Sequence, residues 1–183
     1  KTKAIFAVNL LGNSCNYDEI KKISRKHSLY LIEDNCESLG SKYKNKYTGT
    51  FGIMGSYSFF FSHHLQTIEG GMIVTNDLNL YEILVSLRAH GWTRDLPEIN
   101  TVQNKKLDKF YDSFNFVLPG YNLRPSELNG AIGIEQLKKI KFFMKMRRLN
   151  AIFFKKLFAN DKNILIQSET GTSSWFGFSM ILI

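Results

Sequence analysis

The chain has 183 residues, of which 44% are hydrophobic and 22% are charged, with 3 prolines and 13 glycines. These proportions exclude a disordered or collagen-like protein, and the length predicts about one domain at roughly 150 residues each. No apolar run approaches the ~20 residues that cross a bilayer, and the opening residues do not resemble a secretory signal, so we expect no membrane partner. Two cysteines are too few for a disulfide framework and favour a cytoplasmic location. The net charge of +8 raises the question of an anionic partner.

The two ends of the sequence indicate a piece of a larger protein. It starts without an initiator methionine, and residues 175–183 form an apolar, strand-like run that stops abruptly. An apolar strand needs neighbours to cover it, and a finished domain rarely ends in one. We therefore expect an internal fragment of a longer chain.

The N-terminal part of the chain predicts a strand–helix–strand unit. Residues 4–8 are a short apolar run, and Ser14 or Asn16 can cap a helix that extends to residue 27. Residues 28–32 form a second apolar run, which ends at a pair of acidic residues. Strand, helix and strand in about thirty residues are typical of a parallel sheet.

The rest of the chain continues this alternation of strands and helices. In chain order, the predicted segments are residues 42–48 (hairpin), 56–61 and 71–75 (strands), 77–88 (helix), 90–120 (irregular), 125–158 (helix), and 164–166 and 174–183 (strands). This order predicts an α/β fold with a mostly parallel sheet and flanking helices.

Titratable side chains follow two of the predicted strands, where an open α/β sheet binds its ligands. Asp34 and Glu37 come directly after one strand, and His63 and His64 come after another. Taken alone, Asp34 is as readily a capping residue as a ligand, and the His pair suits an exposed loop. The sequence has no His and Cys set with zinc-ligand spacing, which predicts that no metal is bound. It also lacks the glycine motifs of nucleotide-binding loops.

Positive charge is concentrated on the long predicted helix, which has no acidic residue after Glu135. Its basic residues are Lys138, Lys139, Lys141, Lys145, Arg147, Arg148, Lys155 and Lys156. A nucleic-acid or membrane surface is one interpretation of this cluster. The simpler interpretation is a solvated face behind the core positions Leu137, Ile140 and Met144. From composition and spacing alone, the sequence predicts an α/β cytoplasmic domain.

Several segments together resemble the DegT/StrS family of vitamin B6-dependent nucleotide-sugar aminotransferases. The matching segments are residues 7–12 (AVNLLG), 32–40 (IEDNCESLG), 56–75, 87–91 (LRAHG) and 119–124 (PGYNLR). They occur in the family's order and cover nearly the whole chain, which makes the similarity far more specific than any single motif.

The resemblance implies the fold-type I, aspartate-aminotransferase-like fold of enzymes that depend on pyridoxal phosphate. In that fold, residues 1–124 would be the later half of the large domain. Residues 125–159 would be the long connecting helix, and residues 160–183 would begin the small domain.

The sequence departs from the family's aminotransferases at one position, because it has His63 where they place the lysine that bonds to the cofactor. This substitution resembles the family's 3-dehydratase branch. It implies a non-covalently bound pyridoxamine phosphate, with His63 as the general base and loss of the sugar's 3-hydroxyl as the outcome. His64 is an alternative base, since sequence cannot orient two adjacent side chains.

Other site residues and partners follow from the resemblance by position. Asp34 would pair with the pyridine nitrogen, Glu37 would lie near the ring hydroxyl, and Ser58 would bind the cofactor phosphate. Asn122 would reach the phosphate of a neighbouring subunit, which implies a homodimer. A nucleotide-diphosphate sugar would be the substrate and glutamate the amino donor, with no nucleic-acid partner. Residues 90–119 contain no cysteine, so the iron–sulfur cluster of a related dehydratase branch is not expected.

Two other functions stay open at this point. One is a sugar aminotransferase of the same fold in which the lysine has been functionally replaced. The other is a non-enzymatic, basic binding module, which only the charged helix supports.

Overall fold

A computed structural model describes residues 1–105 and 108–183, which divide into two compact units. The first unit comprises Lys1–Val74 and Glu127–Ile183, and the second comprises Thr75–Ser126. Among the helices of the described ranges, none has the length and apolar character that a membrane span requires.

The first unit contains a central sheet, two small two-stranded sheets and two α-helices. Its strands are β1 (Ala4–Val8), β2 (Tyr30–Asp34), β3 (Lys42–Tyr43), β4 (Lys46–Tyr47), β5 (Met54–Ser58), β6 (Gly71–Val74), β7 (Ile164–Ile166) and β8 (Met180–Leu182). Its helices are α1 (Tyr17–Lys26) and α4 (Glu127–Phe158), and a 3₁₀ turn covers Leu10–Gly12. The second unit contributes α2 (Leu78–Leu87) and α3 (Lys109–Ser113).

The central sheet has the strand order β1-β2-β5-β6. Strands β1, β2 and β5 are parallel, and β6 runs antiparallel to β5. In this register Asp34 pairs with Val8 on one side and with Ser56 on the other. The carboxyl ends of the three parallel strands therefore meet at one edge of the sheet, as the predicted α/β fold requires.

Helix α1 packs against one face of this sheet and closes the core of the unit. Asn16, one of the two predicted caps, accepts a hydrogen bond from the backbone N–H of Glu19 at 3.4 Å. The buried apolar core consists of Ala7, Tyr17, Leu31 and Tyr43. The ring of Phe51 stacks on Tyr17 with 4.2 Å between centroids, which ties the loop before β5 to this core.

Three of the predicted strands have different boundaries in the structure. Strand β2 begins at residue 30 rather than 28 because Ser28 adopts a positive φ of 50° and makes a turn. Strand β5 covers Met54–Ser58 rather than residues 56–61, since a turn closes where His63 N–H donates to the Phe60 carbonyl. In the predicted strand 174–183, a φ of 52° at Trp175 interrupts the extended backbone, and β8 forms only near its end.

The predicted irregular segment 90–120 contains a short helix. The side chain of Asp108 caps α3 by accepting hydrogen bonds from the backbone N–H groups of Phe110 and Tyr111. A single Asp cap with little periodicity around it is a weak sequence signal, which explains why the pattern did not predict this helix.

The basic residues of α4 divide between structural and solvated roles. Arg147 and Arg148 point into the unit and donate to backbone carbonyls of the 173–176 segment. Met144 is buried as predicted, whereas Leu137 is 58% exposed and does not belong to the core. Two basic residues of the predicted charged face therefore have a structural role, because they bind α4 to the 173–176 segment.

Candidate active site

Asp34 stands at the end of β2 with one carboxylate oxygen fixed by two donors. Its Oδ1 accepts hydrogen bonds from the Cys36 backbone N–H at 2.9 Å and from the Ser56 hydroxyl at 3.2 Å. Burial, together with a hydrogen bond to the Asp34 carboxylate, raises the pKa of the Cys36 thiol to about 11. The thiol therefore stays protonated at neutral pH.

Ser58 is the last residue of β5, and it lies two positions beyond the residue that pairs with Asp34. Its hydroxyl oxygen accepts a hydrogen bond from the Phe60 backbone N–H at 3.2 Å. A hydroxyl that accepts one hydrogen bond can still donate its own proton. Asp34 and Ser58 thus offer an acceptor and a donor at the same edge of the sheet.

The two adjacent histidines on the loop after β5 have different environments. His64 is only 4% exposed, and its Nε2 lies 3.3 Å from the Ser174 carbonyl oxygen. Burial and the nearby positive charge of Arg147 lower the pKa of His64 to about 4, so its imidazole is neutral. A neutral imidazole whose Nε2 faces a carbonyl carries its proton on Nε2.

His63 is half-buried, and its ring is surrounded by aromatic side chains. Its centroid lies 5.8 Å from that of Phe60 and 5.1 Å from that of Phe176. Its Nδ1 is buried and has no hydrogen-bond partner among residues 1–105 and 108–183. His63 is therefore partly accessible, whereas His64 is buried. The ring of His63 is held by packing against Phe60 and Phe176.

Glu37 contacts the 3₁₀ turn that follows β1. Its Oε2 accepts a hydrogen bond from the Leu11 backbone N–H at 2.7 Å, and Leu11 has a φ of 53° inside that turn. The carboxylate thus stabilises a left-handed backbone conformation that non-glycine residues rarely adopt. Leu11 in turn accepts a hydrogen bond from the Phe176 N–H, so Glu37 is linked through this turn to the ring beside His63.

Asn122 belongs to the second compact unit. It is exposed there, and its backbone forms an isolated β-bridge with Ala89. Its assignment to a neighbouring subunit's cofactor stays a prediction.

Sequence reasoning missed four side chains that support this edge of the sheet: Glu33, Ser56, Arg147 and Phe176. Glu33 is fully buried and accepts hydrogen bonds from three backbone N–H groups of the loop before β5. An acidic residue inside an apolar strand was the available signal for it, because buried charges are nearly always paired. Ser56 becomes visible only through the strand register, and Phe176 only through the tertiary fold.

The described residues contain no group of three or more His, Cys, Asp or Glu side chains that suits a metal ion. The acceptor at Asp34, the hydroxyl at Ser58 and the imidazole at His63 instead form a set of organic acid–base and hydrogen-bonding groups.

The whole chain, residues 1–183, matches the model of the DegT/DnrJ/EryC1/StrS aminotransferase family. The chain is similar to a GDP-4-keto-6-deoxy-D-mannose 3-dehydratase from Yersinia pseudotuberculosis, with 57% identity over 100% of this chain and 47% of that protein. It is also similar to the structure of the Escherichia coli GDP-4-keto-6-deoxy-D-mannose 3-dehydratase with bound hydrated pyridoxal phosphate (PLP). The TM-score is 0.95 and the identity 56%, over 100% of this chain and 47% of that one.

A further structure of a GDP-4-keto-6-deoxymannose 3-dehydratase contains a trapped PLP-glutamate geminal diamine. It matches with a TM-score of 0.96 and 56% identity, over 100% of this chain and 47% of that one. The chain thus spans about half the length of the relatives it matches. The fold predicted from the resemblance is confirmed, and the chain belongs to the DegT/DnrJ/EryC1/StrS aminotransferase family.

Proposed function

We propose that this chain carries the cofactor edge and the general base of a vitamin B6-dependent 3-dehydratase. The enzyme would remove the 3-hydroxyl of a nucleotide-linked 4-keto-6-deoxy sugar. The observation that carries this proposal is the imidazole of His63 on the loop after β5, within a segment, residues 54–74, that contains no lysine. Aminotransferases use a lysine amine to hold pyridoxal phosphate covalently, whereas an imidazole supplies a base without an amine.

The side chains at the sheet edge fit pyridoxamine 5′-phosphate. The carboxylate of Asp34, oriented by two donors on Oδ1, suits a protonated pyridine nitrogen. The hydroxyl of Ser58 suits the phosphate, and we assign Glu37 to the neighbourhood of the ring hydroxyl, with its Oε2 already bound to Leu11. When bound, the cofactor supplies an amine for the sugar ketone and a ring that accepts electrons.

His63 is the group that we assign to proton transfer at the C4′ carbon of the cofactor. His63 is partly exposed, and imidazole is the side-chain group that most often serves as a general base and acid, so it can accept a proton there and release it again. His64 is poorly suited to this role because it is buried, its Nε2 faces a carbonyl oxygen, and its pKa is lowered to about 4. These differences support the first histidine of the pair as the base.

The relatives support more specific proposals about partners. The Yersinia relative is named for GDP-4-keto-6-deoxy-D-mannose, so we propose this GDP-sugar as the substrate. The PLP-glutamate geminal diamine in a related structure supports glutamate as the amino donor. Asn122 would complete the site of a second subunit in a homodimer, and the enzyme would work in the cytoplasm on precursors of deoxysugars such as those of lipopolysaccharide.

The family fold also supports a division of the chain into three parts. In this proposal residues 1–124 belong to the large domain, residues 125–159 connect the domains and residues 160–183 begin the small domain. The observed helix α4, Glu127–Phe158, agrees with the extent of the proposed connector.

The proposal is tested with His63→Asn in the full-length protein. Asparagine cannot take up the proton, so the rate of dehydration of the GDP-sugar should fall by about 10²–10⁴-fold. The dissociation constant of pyridoxamine 5′-phosphate, measured by fluorescence titration, should stay near that of the wild type. His63→Lys introduces an amine that can bond covalently to pyridoxal phosphate, and it should produce absorbance in the visible range.

His64→Asn is the matched control, since it makes the same substitution at the neighbouring residue. It should keep the dehydration rate, with folding checked by circular dichroism. Full activity in His63→Asn together with loss in His64→Asn would move the base by one residue. An unaltered wild-type protein that binds pyridoxal phosphate with visible absorbance and transfers an amino group to the sugar would instead establish an aminotransferase.

A further inference from the structure

Among the described residues, the imidazole of His63 has no partner for the hydrogen bond at Nδ1 that commonly orients a catalytic histidine. In most such sites one ring nitrogen does the chemistry while the other is hydrogen-bonded to a carboxylate or carbonyl. In His63, Nδ1 is buried without a hydrogen-bond partner in the part of the chain that the structure describes. The orientation of this ring must therefore come from packing.

Two aromatic rings provide that packing. Phe60 meets the His63 ring edge-on, at an interplanar angle of 73° and a centroid distance of 5.8 Å. Phe176 lies closer, at 5.1 Å and 35°, and also contacts the ring of His64 at 5.5 Å. Phe60 belongs to the same loop as His63, whereas Phe176 comes from a distant part of the sequence. Of these two rings, Phe176 is therefore the one that ties the histidine ring to the rest of the unit.

Phe176 is itself held on both sides of its backbone. Its N–H donates to the Leu11 carbonyl at 3.2 Å, and its carbonyl accepts from Nη1 of Arg147 at 3.0 Å. The same Nη1 donates to the Trp175 carbonyl at 3.1 Å, and the guanidinium carbon lies 5.9 Å from the centroid of the Phe176 ring. A residue bound to a turn after β1 and to the helix α4 has little freedom to shift.

We propose that Phe176 is a positioning residue for His63, whose imidazole it holds in place of the missing hydrogen bond. Arg147 and the Leu11 carbonyl act through Phe176 by fixing its backbone. The proposal rests on the proposed function in assigning proton transfer to His63. A contact between aromatic rings typically changes a two-state population by about 2- to 10-fold, which sets the size of the expected effects.

The first experiment compares Phe176→Leu with Phe178→Leu in the full-length protein. Phe178 lies in the same segment but packs on Phe154 at 4.8 Å and on Trp175 at 5.6 Å, so it is a matched control. In cofactor-free protein, the rate at which diethyl pyrocarbonate modifies His63 is followed by peptide mass spectrometry, with exposed His27 as the internal reference. We expect a rate about 2- to 10-fold higher in Phe176→Leu and an unchanged rate in Phe178→Leu.

The second measurement separates positioning from a merely structural role. Phe176→Leu should lower kcat for dehydration by a similar factor, whereas the dissociation constant of pyridoxamine 5′-phosphate and the KM should stay constant. If Phe176→Leu does not fold, Arg147→Lys replaces it, because lysine keeps the charge but loses the guanidinium geometry that holds the Phe176 carbonyl. It should likewise speed the modification of His63.

Equal modification rates of His63 in the wild type and Phe176→Leu, or equal increases in Phe176→Leu and Phe178→Leu, would overturn the proposal. If Phe176→Leu does not fold, an unchanged modification rate of His63 in Arg147→Lys would also overturn the proposal. This failure is distinct from failure of the proposed function, in which His63→Asn would keep the full dehydration rate whatever the modification rates are.

Discussion

The buried carboxylate of Glu33 gives the sharpest prediction about stability. Its Oε2 accepts a hydrogen bond from the Gly49 N–H at 2.5 Å, and its Oε1 accepts from the N–H groups of Phe51 at 2.5 Å and Gly52 at 2.6 Å. Both oxygens act only as acceptors, as in an ionised carboxylate. Burial and the nearby Glu33 carboxylate together raise the pKa of Tyr17.

In Glu33→Gln, one of the two acceptor oxygens becomes an amide NH₂ group. The best arrangement keeps the oxygen on the Phe51 and Gly52 side and turns the NH₂ toward the N–H of Gly49, which then loses its acceptor. The loop cannot easily move away, since a Cβ at Gly49 would already lie 2.2 Å from the Tyr57 hydroxyl. Loss of a hydrogen bond to a charged group, with a buried N–H left unpaired, should lower the free energy of unfolding by about 2–4 kcal/mol.

Urea unfolding of the full-length protein, followed by circular dichroism, measures this change. Glu135→Gln is the matched control: its carboxylate is exposed and pairs with Lys138 on the surface of α4. That substitution should cost less than about 0.5 kcal/mol. The reasoning is refuted if the two variants unfold with the same free energy.

Two further predictions concern residues beside the site. Ser56→Ala removes a donor from Oδ1 of Asp34 and should weaken binding of pyridoxamine 5′-phosphate by about 3- to 10-fold in a fluorescence titration, and an unchanged dissociation constant would contradict it. The pKa of His64 is lowered to about 4 in the folded protein, so the unfolded chain binds more protons between that pH and about 6.5. Stability from this group is therefore present above pH ~6.5 and lost as the pH falls toward ~4, by up to about 3 kcal/mol. His64→Asn should flatten the dependence of unfolding free energy on pH in this window, and an unaltered slope would count against the assignment.

Capping residues and apolar spacing in the sequence predicted the helices α1, α2 and α4. The cap at Asn16 and the apolar spacing of α2 and α4 predicted those helices to within about two residues, which is the usual uncertainty of helix ends. The boundary of the predicted strand 174–183 was wrong where tertiary contacts surround a non-glycine residue with a positive φ. Trp175, with a φ of 52°, is buried and flanked by hydrogen bonds from distant elements, and no local pattern contains that information.

The candidate site likewise contains residues that the sequence predicted and supporting residues that it did not. Asp34, Ser58 and His63 were predicted as site residues because the family resemblance fixes their positions along the chain, and the strand register explains why the first two share one edge of the sheet. Arg147 and Phe176 were not predicted, because Phe176 contacts His63, and Arg147 contacts Phe176, only once α4 and the 173–176 segment have taken their places in the first unit. Their residue types alone are typical of a solvated helix face and an apolar strand.

Helix α4 supports the loop after β5 (residues 59–70) at two points along its length, once directly and once through Phe176. At its N-terminal end, Nδ2 of Asn129 donates to the Thr67 carbonyl at 2.6 Å and to the Glu69 carbonyl at 3.0 Å, which fixes the far end of the loop. Arg147, about 27 Å further along a straight helix at 1.5 Å per residue, fixes Phe176 beside His63. Both supports, at Asn129 and at Arg147, therefore belong to the same helix. The orientation of the proposed base is thus coupled to the helix that we assign as the connector between two domains.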